Sequence, residues 1–201
     1  SYNTARQEGV FQRVFNANGT EFTPEFQVNE IAEGQQDFPQ ILELPDGGYV
    51  TLWNSQKSTF GGVESFVAFR RFDADGQPVK SELRVPATND APYFEGQGFY
   101  GYFYNYTVLS DGTMAAGWSP TGIDEQFITV FTADGQQVSQ FALVEGPFGN
   151  SNPIDVTGLP DGNIFVTRVN TSGDFTNRNG IYGSVSAPDG TLITPEFKIG
   201  E

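Results

Sequence analysis

A five-residue turn recurs along the chain. Phe15-Asn16-Ala17-Asn18-Gly19 returns as Phe72-Asp73-Ala74-Asp75-Gly76, as Phe131-Thr132-Ala133-Asp134-Gly135 and as Ser186-Ala187-Pro188-Asp189-Gly190. The glycines are spaced 57, 59 and 55 residues apart. A second series falls between them: Leu44-Pro45-Asp46-Gly47, Leu109-Ser110-Asp111-Gly112 and Leu159-Pro160-Asp161-Gly162. Fixed-period self-similarity with several short strands per unit is the mark of a propeller or an array. Such repeats specify a scaffold first, so departures from them are where function is sought.

Residues 38–85 form one unit. Strands are expected over Pro39–Leu44, Tyr49–Trp53, Phe66–Phe72 and Val79–Val85, with a polar loop from Asn54 to Gly62. The Asp-Gly pairs supply turns in which glycine takes a positive φ. Two hairpins joined by a loop make a four-stranded antiparallel sheet, the blade of a propeller. Residues 104–144 pair Tyr106–Leu109 with Thr113–Trp118 and Phe127–Phe131 with Val138–Val144. Residues 152–199 pair Ile154–Leu159 with Asn163–Val169 and Ile181–Ser186 with Leu192–Ile199. The start is out of phase: residues 9–29, with Phe11–Phe15 against Phe22–Val28, supply only the second hairpin of a unit. The fold class is therefore all-β and β-propeller-like, three full blades plus a leading half blade in a single repeat domain, 1–201.

Closed single-chain propellers generally have four blades or more. Three arrangements remain: a fragment of a longer repeat chain, a hairpin kept as an outer layer or completing an irregular small ring, or copies associating through unfinished edges. Gly19-Thr20-Glu21-Phe22-Thr23-Pro24-Glu25-Phe26 closely matches Gly190-Thr191-Leu192-Ile193-Thr194-Pro195-Glu196-Phe197. A cut from a continuous array would leave that similarity, which favours a fragment or array.

The net charge of −15 argues against nucleic acid, since phosphate binding needs clustered cations and the chain has ten Lys and Arg. It favours a self-repelling surface, or one neutralised by cations in a salty or calcium-rich medium. With no cysteine and no histidine, disulfides, thiolate zinc sites, His or Cys haem ligation and Cys/His catalysis are excluded. No apolar run is long enough for a transmembrane helix. The polar start, Ser1 to Glu8, has no signal-peptide core; a removed signal, another export route or an internal fragment would each account for it.

The repeat resembles the tandem repeats of large secreted bacterial proteins of the RTX type, the hemolysin-type calcium-binding proteins and their adhesin relatives. The matching pieces are Phe72-Asp73-Ala74-Asp75-Gly76, Pro24-Glu25-Phe26-Gln27-Val28-Asn29 and Leu44-Pro45-Asp46-Gly47-Gly48-Tyr49-Val50-Thr51-Leu52-Trp53. The first hairpin and the blade after it match well, the later units less well. The resemblance implies export, an extracellular or cell-surface location and frequently calcium, but no single activity. The Gly-Gly-x-Gly-x-Asp nonapeptide of calcium-binding β-rolls is absent, so calcium does not carry over by motif.

Two sets of residues are candidate sites. Asp73 and Asp75 resemble the opening of a calcium loop, but Gln77, Pro78 and Val79 are poor oxygen ligands to follow them. Asp46, Asp111 and Asp161 fall at one equivalent turn in three blades, where a ring of carboxylates could hold a cation at a propeller mouth. Turn chemistry, in which Asp or Asn bonds its own backbone, explains both patterns and is the favoured reading, since Asn16-Ala17-Asn18 and Thr132-Ala133-Asp134 hold equivalent positions. The second set is aromatic. From the last-strand Val to the Leu before the Asp-Gly turn takes 16 residues in the first unit, 24 in the second and 15 in the third. The excess holds Tyr93, Tyr100, Tyr102, Tyr104 and Tyr106, whose apolar faces and polar tips suit glycan or protein contacts. Covering or extending the sheet is the alternative.

Trp53, Trp118 and Arg168 each lie six residues after a turn glycine. A Trp there fills the wedge between blades or offers a ligand platform. Arg168 breaks the pattern and needs a partner or a route to water. Three Asn-x-Ser/Thr triplets, at Asn18, Asn105 and Asn170, arise by chance in a chain this rich in Asn and Thr. Ser110-Asp111-Gly112-Thr113 resembles a sialidase Asp-box, with a different spacing.

The expected function is a non-enzymatic extracellular repeat module for adhesion, spacing or assembly into oligomers or filaments through open β edges. The expected partners are other copies or neighbouring repeats. A glycan-binding propeller using the Tyr-rich insertion is the alternative, and a degraded propeller glycosidase a third.

Overall fold

A computed structural model describes residues 9–59, 62–85, 101–120, 126–143, 154–170 and 180–200. They form fourteen strands and no helix. The chain, expected as one repeat domain, divides into two compact units.

The first unit holds residues 9–85 of those described. A two-stranded ribbon, β1 (Phe11–Gln12) with β2 (Phe26–Gln27), precedes a sheet of β3 (Gln35–Glu43), β4 (Tyr49–Thr59), β5 (Gly62–Phe72) and β6 (Leu83–Arg84), paired in chain order. Val10 and Val28 of the ribbon pack on Trp53, Ala68 and Phe72 of the sheet. Gln12 ties the same face together: its Nε2 donates to the Tyr49 hydroxyl at 2.9 Å, and its Oε1 accepts from Thr51 Oγ1 at 2.7 Å. Arg70 clamps the ribbon's exit, donating to the Val28 carbonyl at 3.0 Å and pairing with Glu30 at 2.7 Å.

The second unit holds residues 101–200 of those described, in two sheets. One is β7 (Gly101–Val108), β8 (Met114–Pro120), β9 (Phe127–Phe131) and β10 (Gln137–Ala142); the other is β11 (Ile154–Gly158), β12 (Ile164–Asn170), β13 (Gly180–Ser186) and β14 (Leu192–Ile199). They pack face to face. Ala115, Ile128 and Val130 of the first meet Ile154, Val156, Ile164 and Val166 of the second in one buried core. The architecture is thus propeller-like: antiparallel meanders of four strands, two of them packed blade on blade in the second unit, and among the described residues each sheet is open at both edges.

Seven turns share one geometry. In each, the N–H of the first residue donates to the carbonyl four residues on, and the glycine N–H donates back to the first residue's carbonyl. Gly19, Gly47, Gly76, Gly112, Gly135, Gly162 and Gly190 all have φ between 74° and 89°. This is a type I turn closed by a left-handed residue, which favours glycine.

Two expectations of strand length need correcting. The polar loop from Asn54 to Gly62 is largely strand: the β4–β5 ladder runs on through Asn54↔Val67 and Ser55↔Phe66 to Thr59↔Gly62. Ladder pairing uses backbone groups, and β5 supplies Phe66 and Val67 opposite the polar residues, so side-chain polarity does not end it. The fourth strand is shorter than Val79–Val85. Only Ala68↔Arg84 and Phe69↔Leu83 pair, with an isolated bridge at Phe72↔Pro78. Pro78 lacks an N–H, and Glu82 turns its carboxylate to the N–H groups of Glu30 and Ile31 at 2.8 and 3.1 Å.

Candidate functional site

The candidate carboxylates are turn residues. Asp46, Asp111 and Asp161 each accept the N–H of the residue after the turn glycine, at 3.0, 2.9 and 3.1 Å. Asp73 does so from the first turn position, taking the N–H groups of Asp75 and Gln77 at 3.0 and 2.8 Å. Asn18, Thr132 and Asp189 complete the set. All seven turns therefore satisfy one backbone donor, the N–H that the bulge removes from the ladder, by an oxygen two or four residues earlier. That single requirement explains why Asn and Thr stand in for Asp. Among the described residues no group of three or more carboxylates is placed to hold a metal ion. For the calcium expectation at Asp46, Asp73, Asp75, Asp111 and Asp161, the described residues give the turn reading instead: Asp46, Asp73, Asp111 and Asp161 each accept backbone N–H groups, and Asp75 offers its own N–H to Asp73.

These bonds tune the acids. The Gly48 N–H, reinforced by the Arg71 guanidinium at 2.5 Å, holds the Asp46 carboxyl below its ordinary value. The Thr113 hydroxyl and then its N–H do the same for Asp111, and the Thr191 N–H and hydroxyl for Asp189.

The aromatic candidates divide. Tyr93 and Tyr100 lie outside the described residues. Tyr102 and Tyr104 belong to β7, where Tyr102 pairs with Ser119 and the register shifts at Tyr104, between Phe103 and Asn105. Part of the Tyr-rich excess thus lengthens a strand. Tyr106 is buried, and burial pushes its phenol well above its ordinary pKa. Trp53 and Trp118 are 0% and 1% exposed, so as ligand platforms Tyr106 and both tryptophans are corrected: each ring is core. The Trp53 indole N–H donates to Gln36 Oε1 at 2.8 Å and that of Trp118 to Thr129 Oγ1 at 2.9 Å. A buried indole needs such a partner.

The third member of that series does something else. Arg168 continues the inward face Ile164-Val166-Arg168 of β12 and pairs with Glu196 of β14. Beside the pair lies a cavity of about 220 Å³. Phe141 and Leu143, at the end of β10, wall one side. Val166, Ser184, Ser186, Leu192 and Pro195 wall the other. The cavity lies at the margin of the blade seam, where the buried core gives way to partly buried Phe141 and Leu143. Sequence singled out Arg168 by its offset. Glu196 was legible only as part of the Thr-Pro-Glu-Phe copy at Thr23–Phe26, where no arginine stands six residues after a turn glycine.

No family model and no curated protein matches the chain. Among solved structures it is similar to a glycosyl hydrolase from Bacteroides ovatus, at 14% identity over 95% of this chain and 81% of that chain, with a TM-score of 0.33.

Proposed function

We propose that this chain is a non-enzymatic extracellular module of adhesion, spacing or assembly that stacks blade on blade with further copies of itself. The observation that carries the reading is the exposed apolar side chains on the outer face of the last sheet. Phe165 and Phe197 stack on it with centroids 6.5 Å apart, and Val169, Ile181 and Ile199 stand exposed on the same face. The equivalent face of the preceding sheet, Ala115, Ile128 and Val130, is fully buried beneath the third blade. One position in the repeat is covered, whereas in its next copy Val169, Ile181, Phe197 and Ile199 are exposed among the described residues. Contiguous exposed apolar surface of this kind marks an interaction site.

The occupant we assign is the leading ribbon of a second copy. It is the second half of a blade, and Phe11, Phe15 and Phe22 are exposed on it. Contact between two unlike patches is heterologous and propagates unless the rotation closes. Extracellular location rests on the RTX-type resemblance. Sedimentation velocity across a concentration series tests the reading. Association should grow with concentration, and with salt, which screens the net charge of −15. Phe197→Lys with Ile181→Lys should return the chain to monomer. A single monomeric species at every concentration refutes the assembly.

A further inference from the structure

We propose that the cavity beside Arg168 and Glu196 binds a neutral ligand with adjacent hydroxyl groups, a single sugar ring or a polyol of that size. The cavity exists where the repeat breaks. At the same offset the other two blades place an indole, and both indoles are buried, Trp53 beneath Val10 and Val28 and Trp118 against Phe127. In the third blade the arginine turns to Glu196 instead and the wedge stays open.

The chemistry of the walls selects the ligand. Arg168 presents donors only, and Glu196 presents acceptors only. Side by side, they match neighbouring hydroxyls, one of which accepts from the guanidinium while the next donates to the carboxylate. Ser184 lines the same space with a group that does either. Phe141 and Leu143 offer an apolar wall to the C–H face of a ring. The size excludes a longer occupant, since about 220 Å³ falls below the range of drug-sized sites, about 300–1,000 Å³. Charge excludes an anion: Glu196 already neutralises Arg168, and the net charge of −15 repels one.

Saturation-transfer difference NMR on the full chain, with the methyl glycosides of glucose, galactose and mannose at millimolar concentration, tests this. Transfer to ring protons of at least one glycoside is expected. Arg168→Trp restores the residue of the other blades and should abolish the signal. Glu196→Gln, at a side chain 37% exposed where the amide keeps an oxygen acceptor for Arg168, should weaken binding about tenfold, the loss of a charge-assisted hydrogen bond. No transfer to any of the three overturns the proposal. So does transfer that stays undiminished in Glu196→Gln or in a folded Arg168→Trp. The readout is independent of self-association, so failure here leaves the assembly reading standing, and the reverse.

Discussion

Gly117 of β8 lies so close to Ile154 of β11 that a β-carbon on it would stand 2.7 Å from Ile154 Cδ1. Val156 Cγ1 would be 3.0 Å away. The two sheets of the second unit meet at this point, and the absence of a side chain sets their separation. Gly117→Ala should destabilise the second unit by about 1–3 kcal/mol through overpacking, read by chemical denaturation. Adding Ile154→Val, which removes the nearest atom, should recover part of the loss. Equal losses in the single and double variants would show that the contact does not set the spacing.

The repeated turn predicts a graded effect of its acceptor. Asp111→Ala leaves the Thr113 N–H and hydroxyl without their shared partner, and should cost about 1 kcal/mol. Asp111→Asn should cost less, because Asn18 already fills the same role. Urea denaturation separates the two, and an Ala variant as stable as the parent would contradict the assignment.

These acids also set the behaviour in acid. Asp46, Asp111 and Asp189 are held below the ordinary value of 3.8 in the folded chain. The folded state therefore binds fewer protons than the unfolded one near that pH. Their contribution is complete above about pH 4–5 and is lost as pH falls through the lowered values. Denaturation midpoints should stay level towards neutrality and fall below about pH 4. Replacing all three by Asn should flatten the decline.

Phe38 carries the one positive φ of a non-glycine residue among those described, 54°, with its ring 75% exposed. It sits in the register shift of β3 between Asp37 and Gln40, just before Pro39. A left-handed conformation is unfavourable for a phenylalanine, and the exposed ring gives little back. Phe38→Asn should raise stability by up to about 1 kcal/mol, measured as a higher denaturation midpoint. A loss of stability would mean that the ring makes a contact the fold needs.

Both tryptophans should report burial. Their emission should be blue-shifted and protected from iodide in the folded chain, and both signs should vanish on unfolding. Gln36→Leu should destabilise the first unit, since it leaves the Trp53 N–H buried without its acceptor. Fluorescence and denaturation on one sample check both statements.

The sequence alone determined the repeat, its turns and its pairing. Those are local: an Asp-Gly pair dictates a left-handed glycine and the backbone donor that an oxygen must satisfy, and alternation dictates antiparallel meanders. The third blade matches its expected strands within a residue or two for the same reason. Tertiary structure decided how far the strands run and which side chains face water. Nothing local told that the polar segment after Trp53 would stay paired, because a ladder is held by backbone groups and by the partner strand. Nothing local told that Tyr106 belongs to the core, since a ring with a polar tip suits either side of a sheet. The repeat offset marked Trp53, Trp118 and Arg168 as equivalents. Only tertiary packing made two of them core, Trp53 beneath Val10 and Val28 and Trp118 against Phe127, and set the third beside Glu196 and an open cavity, because that outcome depends on atoms brought together from strands far apart in the chain.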